Sequence, residues 1–280
     1  MKTVQIDNLK LCNDLPITII AGPCQLESLE HSLMIASFMA DICKRAGVDY
    51  IFKGSFDKAN RTSISGERGL GLDKGLSILE TVKKEIGCPT LTDVHDVNQC
   101  KIACDIVDVI QIPAFLCRQT DLLIAAGSTN AVINIKKGQF LSPWDMKNVL
   151  GKVESSGSDR ILLTERGSSF GYNTLVTDFR SLPIMAKSCY PVIMDATHSV
   201  QQPGGEGTSS GGQREFAPIM ARAAVSLGIA GLFIETHEEP DRAPSDGPNM
   251  IPLNEMSKLI GSLVEFDRLA KNDPCRIKTT

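Results

Sequence analysis

Eight short apolar segments, each ending on a polar or charged residue, constrain the fold of this chain most strongly. They are Ile17–Gly22, Tyr50–Lys53, Thr90–Asp93, Val109–Gln111, Val132–Lys136, Ile161–Arg166, Val192–Thr197 and Leu232–Glu235. Each is rich in β-branched or aliphatic residues, as strands are, and is followed by a segment with helical spacing. Eight such units predict an α/β fold, the (β/α)8 or TIM barrel, whose active site lies where the strands end.

The segments between the predicted strands carry the apolar spacing of eight helices. The first is predicted from about Ser28 to Arg45, with Ser28 as its N-cap and Gly47 as its terminator. The others are predicted near Leu72–Ile86, Val97–Cys104, Gln119–Ala126, Pro143–Val153, Leu182–Lys187, Gln213–Leu227 and Leu253–Leu269. Upstream, Val4–Ile6 and Leu9–Leu11 flank a turn-forming pair, which predicts a hairpin at the N-terminal mouth of the barrel.

Length and composition favour one domain over residues 1–280, with the hairpin within 1–12 and the barrel from about 17 to 270. A net charge of −4 gives no general attraction to nucleic acid or to membrane phosphates. Met1–Leu11 lacks the apolar core of a signal peptide, and we expect no transmembrane helix. The nine cysteines are scattered, so we expect a cytoplasmic protein with reduced thiols.

Cationic side chains are concentrated at or just beyond the predicted strand ends. They are Lys53, Lys58, Arg61, Arg118, Lys136 and Arg166. Hydroxyl and amide groups accompany them at Ser55, Asn60, Thr62 and Gln111. In a barrel these ends face one cavity, where the cations would repel one another unless anions were bound. Their number predicts at least two anionic groups, on two substrates, and a set of surface salt bridges is the alternative.

A second constellation combines a thiol, an imidazole and two carboxylates. Cys24 follows the first strand, His198 the seventh and Glu235 ends the eighth, while Asp246 lies in the loop after it. Barrel closure makes these strands neighbours, so the four groups can form a divalent metal site for Zn, Fe, Mn or Co. A packed thiol at Cys24 and a general-acid role for His198 are the alternatives.

The remaining histidines and one glycine-rich loop are less specific signals. His95 and His237 lie near strand ends, where they could orient other groups or be purely structural, and His31 is predicted at the surface. The segment Gln201–Gly212 is interpreted either as a lid or as a plain flexible loop. The chain contains no Gly-x-Ser-x-Gly elbow, which disfavours a serine hydrolase.

Several motifs closely resemble those of the 3-deoxy-D-manno-octulosonate-8-phosphate synthase (Kdo8P synthase) family. They are residues 20–24 (IAGPC), 56–61 (FDKANR), 111–121 (QIPAFLCRQTD), 136–140 (KKGQF), 164–167 (TERG) and 195–198 (DATH). The resemblance covers roughly residues 17–255. It implies a homotetrameric barrel that condenses phosphoenolpyruvate with D-arabinose 5-phosphate and water and releases phosphate, in synthesis of the lipopolysaccharide inner core.

The resemblance also implies roles for individual residues. Phosphoenolpyruvate would be held by Lys53, Lys58, Gln111, Lys136 and Arg166, with Ser55 nearby. Arabinose 5-phosphate would be held by Asn60, Arg61 and Thr62, with Arg118 reaching in from a neighbouring subunit. The catalytic residues would be His198, Asp246, Lys58 and Asn60. A cysteine directly after Gly-Pro resembles the metal-dependent class, in which Cys24, His198, Glu235 and Asp246 would be the ligands.

Three alternatives stay open at this point. A related synthase that uses erythrose 4-phosphate shares the barrel, but its loop usually reads Lys-Pro-Arg-Thr-Ser, whereas residues 58–62 here read KANRT. A Schiff-base aldolase could use Lys136, because a crowd of cations lowers the pKa of a lysine. A barrel that only binds anionic metabolites would release no phosphate.

Overall fold

A computed structural model, which describes residues 1–205 and 210–274, shows a barrel of eight parallel strands. The strands are β1 (Thr18–Gly22), β2 (Asp49–Lys53), β3 (Thr90–Asp93), β4 (Val109–Ile112), β5 (Val132–Lys136), β6 (Ile161–Glu165), β7 (Val192–Asp195) and β8 (Gly231–His237). Strand β8 pairs in parallel with both β7 and β1, which closes the sheet. The predicted (β/α)8 barrel is confirmed.

Within the described ranges, eight α-helices alternate with these strands. They are α1 (Leu29–Ala46), α2 (Leu72–Ile86), α3 (Val97–Ala103), α4 (Thr120–Gly127), α5 (Met146–Glu154), α6 (Ser181–Ala186), α7 (Ala217–Val225) and α8 (Met256–Asn272). Helix α7 begins later than predicted because Pro218 lies in its first turn, where a missing amide proton costs nothing. The residues before it, Arg214–Phe216, form a separate 3-10 turn.

The ends of α1 follow from local chemistry, as the sequence predicts. The Ser28 side chain accepts a hydrogen bond from the backbone amide of His31 and caps the first turn. Gly47 has a φ of 71°, and its amide closes the helix by donating to carbonyl groups of the last turn. The Ser28 cap therefore fixes where the loop from β1 enters the helix, and Gly47 fixes where the chain leaves it toward β2.

The N-terminal hairpin closes the bottom of the barrel. Its strands, Val4–Ile6 and Leu9–Leu11, are antiparallel and joined by a turn in which Asp7 has a φ of 49°. Their buried side chains pack against residues inside the barrel, among them Ile20, Leu91 and Phe233. The predicted hairpin at the N-terminal mouth of the barrel is confirmed, and its apolar side chains fill that end.

Short paired segments shape the loops at that C-terminal end. Ser168–Ser169 pairs with Leu175–Val176, and Gln201–Gln202 pairs with Gly211–Gly212. The second pair forms the base of the glycine-rich loop, for which a lid and a plain flexible loop are the two interpretations, but residues 206–209 of that loop lie outside the described residues. After β8 the chain returns to pair Thr236 with Ile251, which folds the intervening loop back over the barrel end.

The thiols and helices bear on the other expectations. The eight cysteines within the described ranges are all free, and six of them are buried. Among the described helices, none combines the length and apolar character needed to span a bilayer. The large apolar layer between the sheet and the helices is formed by residues such as Ile35, Leu79 and Ile133. These helices therefore bury their apolar faces within the fold.

Candidate active site

A cavity of about 430 Å³ lies at the C-terminal ends of the barrel strands. The sequence-predicted residues that line it are Lys53, Ser55, Lys58, Asn60, Arg61, Thr62, Gln111, Lys136, Arg166, His198, Glu235 and Asp246. Side chains that the sequence did not single out for the site also contribute, namely Asp93, Gln139 and Gln201. Charged groups from strands far apart in the chain thus share one chamber.

The ammonium group of Lys53 is buried beneath this chamber and is fully paired. Its Nζ donates to Glu235 Oε1 at 2.5 Å and to the backbone carbonyl oxygens of Pro23 and Cys24 at 3.1 and 2.7 Å. Both side chains are about 1% exposed, so each charge depends on the other for its stability. The pair joins the end of β2 to the end of β8 and to the loop after β1.

Lys136 and His198 share one carboxylate, that of Asp195. Lys136 Nζ donates to Asp195 and lies 3.6 Å from the ring centroid of Phe233. Burial lowers the pKa of Lys136, although the neighbouring carboxylates oppose that shift. His198 Nδ1 is 2.8 Å from Asp195 Oδ2. Because Asp195 holds the Nδ1 side, the Nε2 side of His198 is directed toward the carboxylates at the end of β8.

Arg166 offers a free donor inside the cavity. Its side chain is buried, and its Nη2 donates to Gln201 Oε1 at 2.9 Å. Its Nη1 is also buried but has no hydrogen-bond partner within the described part of the chain. A buried guanidinium with an unused donor is suited to hold a carboxylate or a phosphate. Burial lowers the pKa of Arg166, although the neighbouring acidic groups oppose that shift. A bound anion would offset the cost of burying the guanidinium charge.

Lys58 heads a polar chain that runs to the end of β3. Its Nζ donates to Ser55 Oγ at 3.0 Å, Ser55 donates to Asp93, and His95 Nε2 is 3.0 Å from Asp93 Oδ2. Burial alone would lower the pKa of Lys58, but the surrounding acidic groups raise it above its ordinary value. Burial would raise the pKa of Asp93, yet its bond with His95 and the nearby lysines lower it. Lys58 therefore remains a cation.

A layer of amides and hydroxyls fixes Gln111. Thr164 Oγ1 donates to Asn134 Oδ1 at 2.6 Å, and Asn134 Nδ2 donates to Gln111 Oε1 at 2.9 Å. These residues lie on the adjacent strands β6, β5 and β4, in the order of the bonds. The Gln111 amide oxygen is thereby occupied, which leaves its Nε2 as the donor available at the cavity wall.

The rim of the cavity joins the loops after β2 and β8. Arg61 Nη1 donates to Ser245 Oγ at 2.7 Å, and its Nη2 donates to the backbone carbonyl of Pro244 at 3.0 Å. Asn60 and Thr62 beside it are exposed. Arg61 thus lies at the open end of the chamber. A second anion, further out than one held by the buried cations, would bind there.

Three of the four predicted metal ligands cluster near the ends of β8 and β1, and the fourth, His198, lies beside their carboxylates. Ligand atoms of Cys24, Glu235 and Asp246 lie within 4.8 Å of one another, and Cys24 Sγ donates to Asp246 Oδ2 at 3.1 Å. His198 Nε2 is 3.7 Å from Glu235 Oε2 and 3.9 Å from Asp246 Oδ2. Glu235 Oε2 is buried without a hydrogen-bond partner in the described chain. This sulfur, nitrogen and oxygen set fits a divalent transition-metal ion.

The protonation of Cys24 is set by the same surroundings. Burial, with the charges of Glu235 and Asp246, raises the pKa of the thiol well above its ordinary value. Without a cation among these acids the sulfur is therefore a neutral thiol. A metal ion binds the thiolate, so binding there would displace that proton.

Arg118 and two histidines lie elsewhere. The Arg118 side chain is exposed and, in this single chain, does not line the cavity. His237 contacts Glu27 rather than the cavity, with Nε2 3.0 Å from Glu27 Oε1. The prediction that His31 is a surface residue is wrong, since its side chain is only 10% exposed. The loop after β8 covers it, and His31 Nε2 lies 2.9 Å from Glu238 Oε2.

Asp93 and Asp195 show what the sequence analysis missed. Both end barrel strands, and both position a histidine two or three residues further along the chain. The signal was present as a carboxylate at a strand end followed closely by a histidine. Their role depends on which side chain each carboxylate faces, and only the folded structure shows that.

The closed barrel has a cation-lined cavity at the ends of its strands, which is where enzymes of the (β/α)8 class have their active sites. Residues 3–272 match the model of the DAHP synthetase I family, and the chain belongs to that family. It is 59% identical over 270 residues to a protein of Granulibacter bethesdensis, with 96% of both chains covered. It is 58% identical over 272 residues to one of Rhodopseudomonas palustris, covering 97% and 95%. Both relatives are named 2-dehydro-3-deoxyphosphooctonate aldolase.

Proposed function

We propose that this protein condenses phosphoenolpyruvate with D-arabinose 5-phosphate and water, giving 3-deoxy-D-manno-octulosonate 8-phosphate and inorganic phosphate. The observation that carries the proposal is one chamber with Lys53, Lys58, Lys136 and Arg166 inside and Arg61 at its rim. These cations can neutralise two anionic substrates held side by side. The name shared by the relatives, an aldolase of a deoxyphosphooctonate, fits a product of this class. The product belongs to lipopolysaccharide inner-core synthesis.

The inner part of the chamber suits phosphoenolpyruvate. Lys136 and Arg166 are buried at the ends of neighbouring strands, and Arg166 Nη1 has no other hydrogen-bond partner in the described chain. Gln111 Nε2 provides a neutral donor in the same cavity, and Lys58 provides a further cation there. We assign the carboxylate and phosphate of the enol to this group, with Lys53 and Ser55 supporting it from below.

The outer part suits the sugar phosphate. We assign Asn60, Arg61 and Thr62 to arabinose 5-phosphate, because they lie at the rim and combine one cation with an amide and a hydroxyl. The sugar aldehyde then points inward toward the enol, next to His198 and Asp246. This arrangement places the two reacting carbons between the two anion sites.

Cys24, His198, Glu235 and Asp246 would hold a divalent ion, either Zn, Fe, Mn or Co. When bound, such an ion supplies Lewis-acid polarisation of a carbonyl oxygen and lowers the pKa of water. The fit rests on the clustered sulfur and carboxylate atoms and on the unpartnered Glu235 Oε2. Asp195 holds the other side of His198 and so fixes which nitrogen faces the site.

The proposed reaction conserves atoms, and groups in the chamber can carry out its proton transfers. Carbon 3 of the enol attacks the aldehyde carbon, whose oxygen takes up a proton, and water adds at carbon 2 and gives up one. The resulting hemiketal phosphate then breaks its carbon–oxygen bond and releases phosphate. We assign proton movement to His198 with Asp246 or Glu235, and Lys58 and Asn60 stabilise the developing charge at the reacting atoms.

We also propose a cytoplasmic homotetramer in which Arg118 enters the cavity of a neighbouring subunit. Exposed aromatic side chains on the loops after β4, β5 and β6 support self-association at this end of the barrel. They are Phe115, Phe140, Trp144, Phe170 and Tyr172. Exposed apolar surface of this kind is typical of an interface. The free thiols within the described ranges favour a reducing compartment.

The test is phosphate release with both substrates present. We expect release with phosphoenolpyruvate and arabinose 5-phosphate, and much slower release when erythrose 4-phosphate replaces the pentose phosphate. Faster turnover of the four-carbon sugar would instead establish the related synthase.

Borohydride with substrate should leave Lys136 unmodified, since a trapped adduct there indicates a Schiff-base aldolase. Chelation should abolish release and added metal should restore it, whereas full activity after chelation contradicts the metal assignment.

A further inference from the structure

A second group of metal-ligating side chains lies outside the cavity described above. Glu27, His31 and His237 each contribute one ligand atom to a set in which all atoms lie within 4.8 Å of one another. Glu27 follows β1, His31 lies in the first turn of α1, and His237 is the last residue of β8. None of the three lines the active-site cavity or belongs to the group around Cys24.

The distances within this group suit a shared ion. Glu27 Oε1 is 3.0 Å from His237 Nε2 and 3.9 Å from His31 Nδ1. The two imidazole rings are 4.8 Å apart between centroids. Ligand atoms about 2.0–2.2 Å from a common tetrahedral ion lie roughly 3.3 Å apart. Small side-chain shifts would therefore bring the three atoms around one ion.

His31 supplies an unused lone pair. Its side chain is nine-tenths buried, and Nδ1 is buried with no hydrogen-bond partner among the described residues. Its other nitrogen, Nε2, is 2.9 Å from Glu238 Oε2. In the tautomer that donates from Nε2 to that carboxylate, Nδ1 has a lone pair on the side of Glu27. A carboxylate behind a histidine in this way is the usual support for a metal ligand.

The proton on His237 must move before this histidine can bind the ion through Nε2. The backbone amide of Glu239 donates to His237 Nδ1 at 2.9 Å, so Nε2 carries the proton and donates it to Glu27. When an ion takes the Nε2 lone pair, that proton moves to Nδ1. There Glu238 Oε2, 3.4 Å away, accepts it, and the backbone amide of Glu239, an exposed residue, gives up its hydrogen bond to Nδ1. The ring stays neutral, and the carboxylates of Glu27 and Glu238 balance the charge of the ion.

We propose that Glu27, His31 and His237 hold a second divalent transition-metal ion, with Glu238 orienting the histidines. Two imidazole nitrogens and one carboxylate favour Zn or Co over Mg or Ca. Glu27 and Glu238 are 33% and 42% exposed, so the ion reaches the site from solvent. The ion ties the first turn of α1 to the end of β8.

The test counts metal ions in the full-length protein. Metal-free wild type, Cys24→Ala, His31→Gln and His95→Gln are dialysed against Co²⁺, and bound cobalt is measured by elemental analysis. We expect two ions per chain in wild type and in His95→Gln, and one in Cys24→Ala and in His31→Gln. A thiolate-to-cobalt absorption band should be kept in His31→Gln and lost in Cys24→Ala, which retains a histidine-type cobalt spectrum.

The outcome that overturns the second site is equal cobalt content in wild type and His31→Gln, or no bound cobalt in Cys24→Ala. Glu27→Gln, which keeps the side-chain size, should lose the same single ion as His31→Gln. Thermal melting of each variant checks that it is folded. Co²⁺ should also raise the melting temperature of Cys24→Ala and leave that of the Cys24→Ala/His31→Gln double variant unchanged.

Discussion

At the residue scale, Arg166 shows how a buried cation is kept ready for a ligand. Its Nη2 is held by Gln201 while its Nη1 is unpartnered in the described chain. Arg166→Lys keeps the charge but loses the guanidinium group, which can donate two hydrogen bonds to one carboxylate. A charge-assisted hydrogen bond contributes about 1.5–3 kcal/mol. We therefore expect kcat/KM for phosphoenolpyruvate to fall about 10- to 100-fold, measured by phosphate release.

The matched control for this substitution is Arg180→Lys. Arg180 is exposed and forms an ion pair with the neighbouring Asp178, so the same chemical change there should leave kcat/KM within about twofold of wild type. An Arg166→Lys variant with wild-type kinetics would contradict a role for the free Nη1 in substrate binding.

Arg61 tests the outer anion site. Removing its guanidinium in Arg61→Ala takes away the rim cation and its bonds to the loop after β8. We expect KM for arabinose 5-phosphate to rise at least about tenfold, because a phosphate contact far from the reacting carbon mainly contributes to binding. KM for phosphoenolpyruvate should change far less. Arg45→Ala on the surface of α1 is the control, and equal effects on both KM values would refute the two-site assignment.

At the element scale, one carboxylate of α8 binds the residue that precedes β1. Asp267 Oδ2 accepts a hydrogen bond from the backbone amide of Ile17 at 3.0 Å, and Lys271 Nζ lies 3.5 Å from Asp267 Oδ1. Asp267→Ala leaves this buried amide unpaired, which costs about 1–3 kcal/mol of unfolding free energy. Denaturant unfolding measures the loss. Glu265→Ala, at an exposed position on the same helix, should change the stability by less than about 0.5 kcal/mol.

The burial of Asp267 also predicts the sign of a pH dependence. Burial raises the pKa of its carboxyl above the ordinary value of 3.8. Between the ordinary pKa, which applies to the unfolded chain, and the raised pKa of the folded chain, the folded chain binds more protons. Stability therefore falls as the pH rises through that window. Asp267→Asn keeps an acceptor for Ile17 but cannot titrate. The difference in melting temperature between wild type and Asp267→Asn should shift in favour of the variant as pH rises above about 4.

The elements show what a sequence of this kind can and cannot predict. The ends of α1 and the strand β3 follow from local capping and apolar patterning, and both were predictable. The pairing of Lys53 with Glu235 joins residues 182 positions apart, and no local pattern predicts which acid meets which base. The burial of His31 was missed for a related reason, because a loop more than 200 residues later covers it.

At the scale of the whole molecule, two closures decide where chemistry can occur. Pairing of β8 with β1 gathers the strand ends into one chamber, and the N-terminal hairpin fills the other end with Val4, Ile6 and Leu11. The cations of the chamber therefore meet ligands only from the C-terminal side. That same side carries Arg118 and the exposed aromatic residues, so the proposed subunit contact and the mouth of the site share one face.

Mixed oligomers test whether Arg118 acts in a neighbouring subunit. Arg118→Ala removes the arginine a chain gives to its neighbour, whereas Lys136→Met disables the chain's own cavity, so each variant alone should be much less active than wild type. In hybrids formed by refolding equal amounts together, a cavity with intact Lys136 can receive Arg118 from a Lys136→Met subunit. Random mixing should make roughly a quarter of the sites complete. Mixing Arg118→Ala with the Arg118→Ala/Lys136→Met double variant is the control and should restore nothing. If verified hybrids are no more active than the separate variants, Arg118 does not cross between subunits, and its exposed position then needs another explanation.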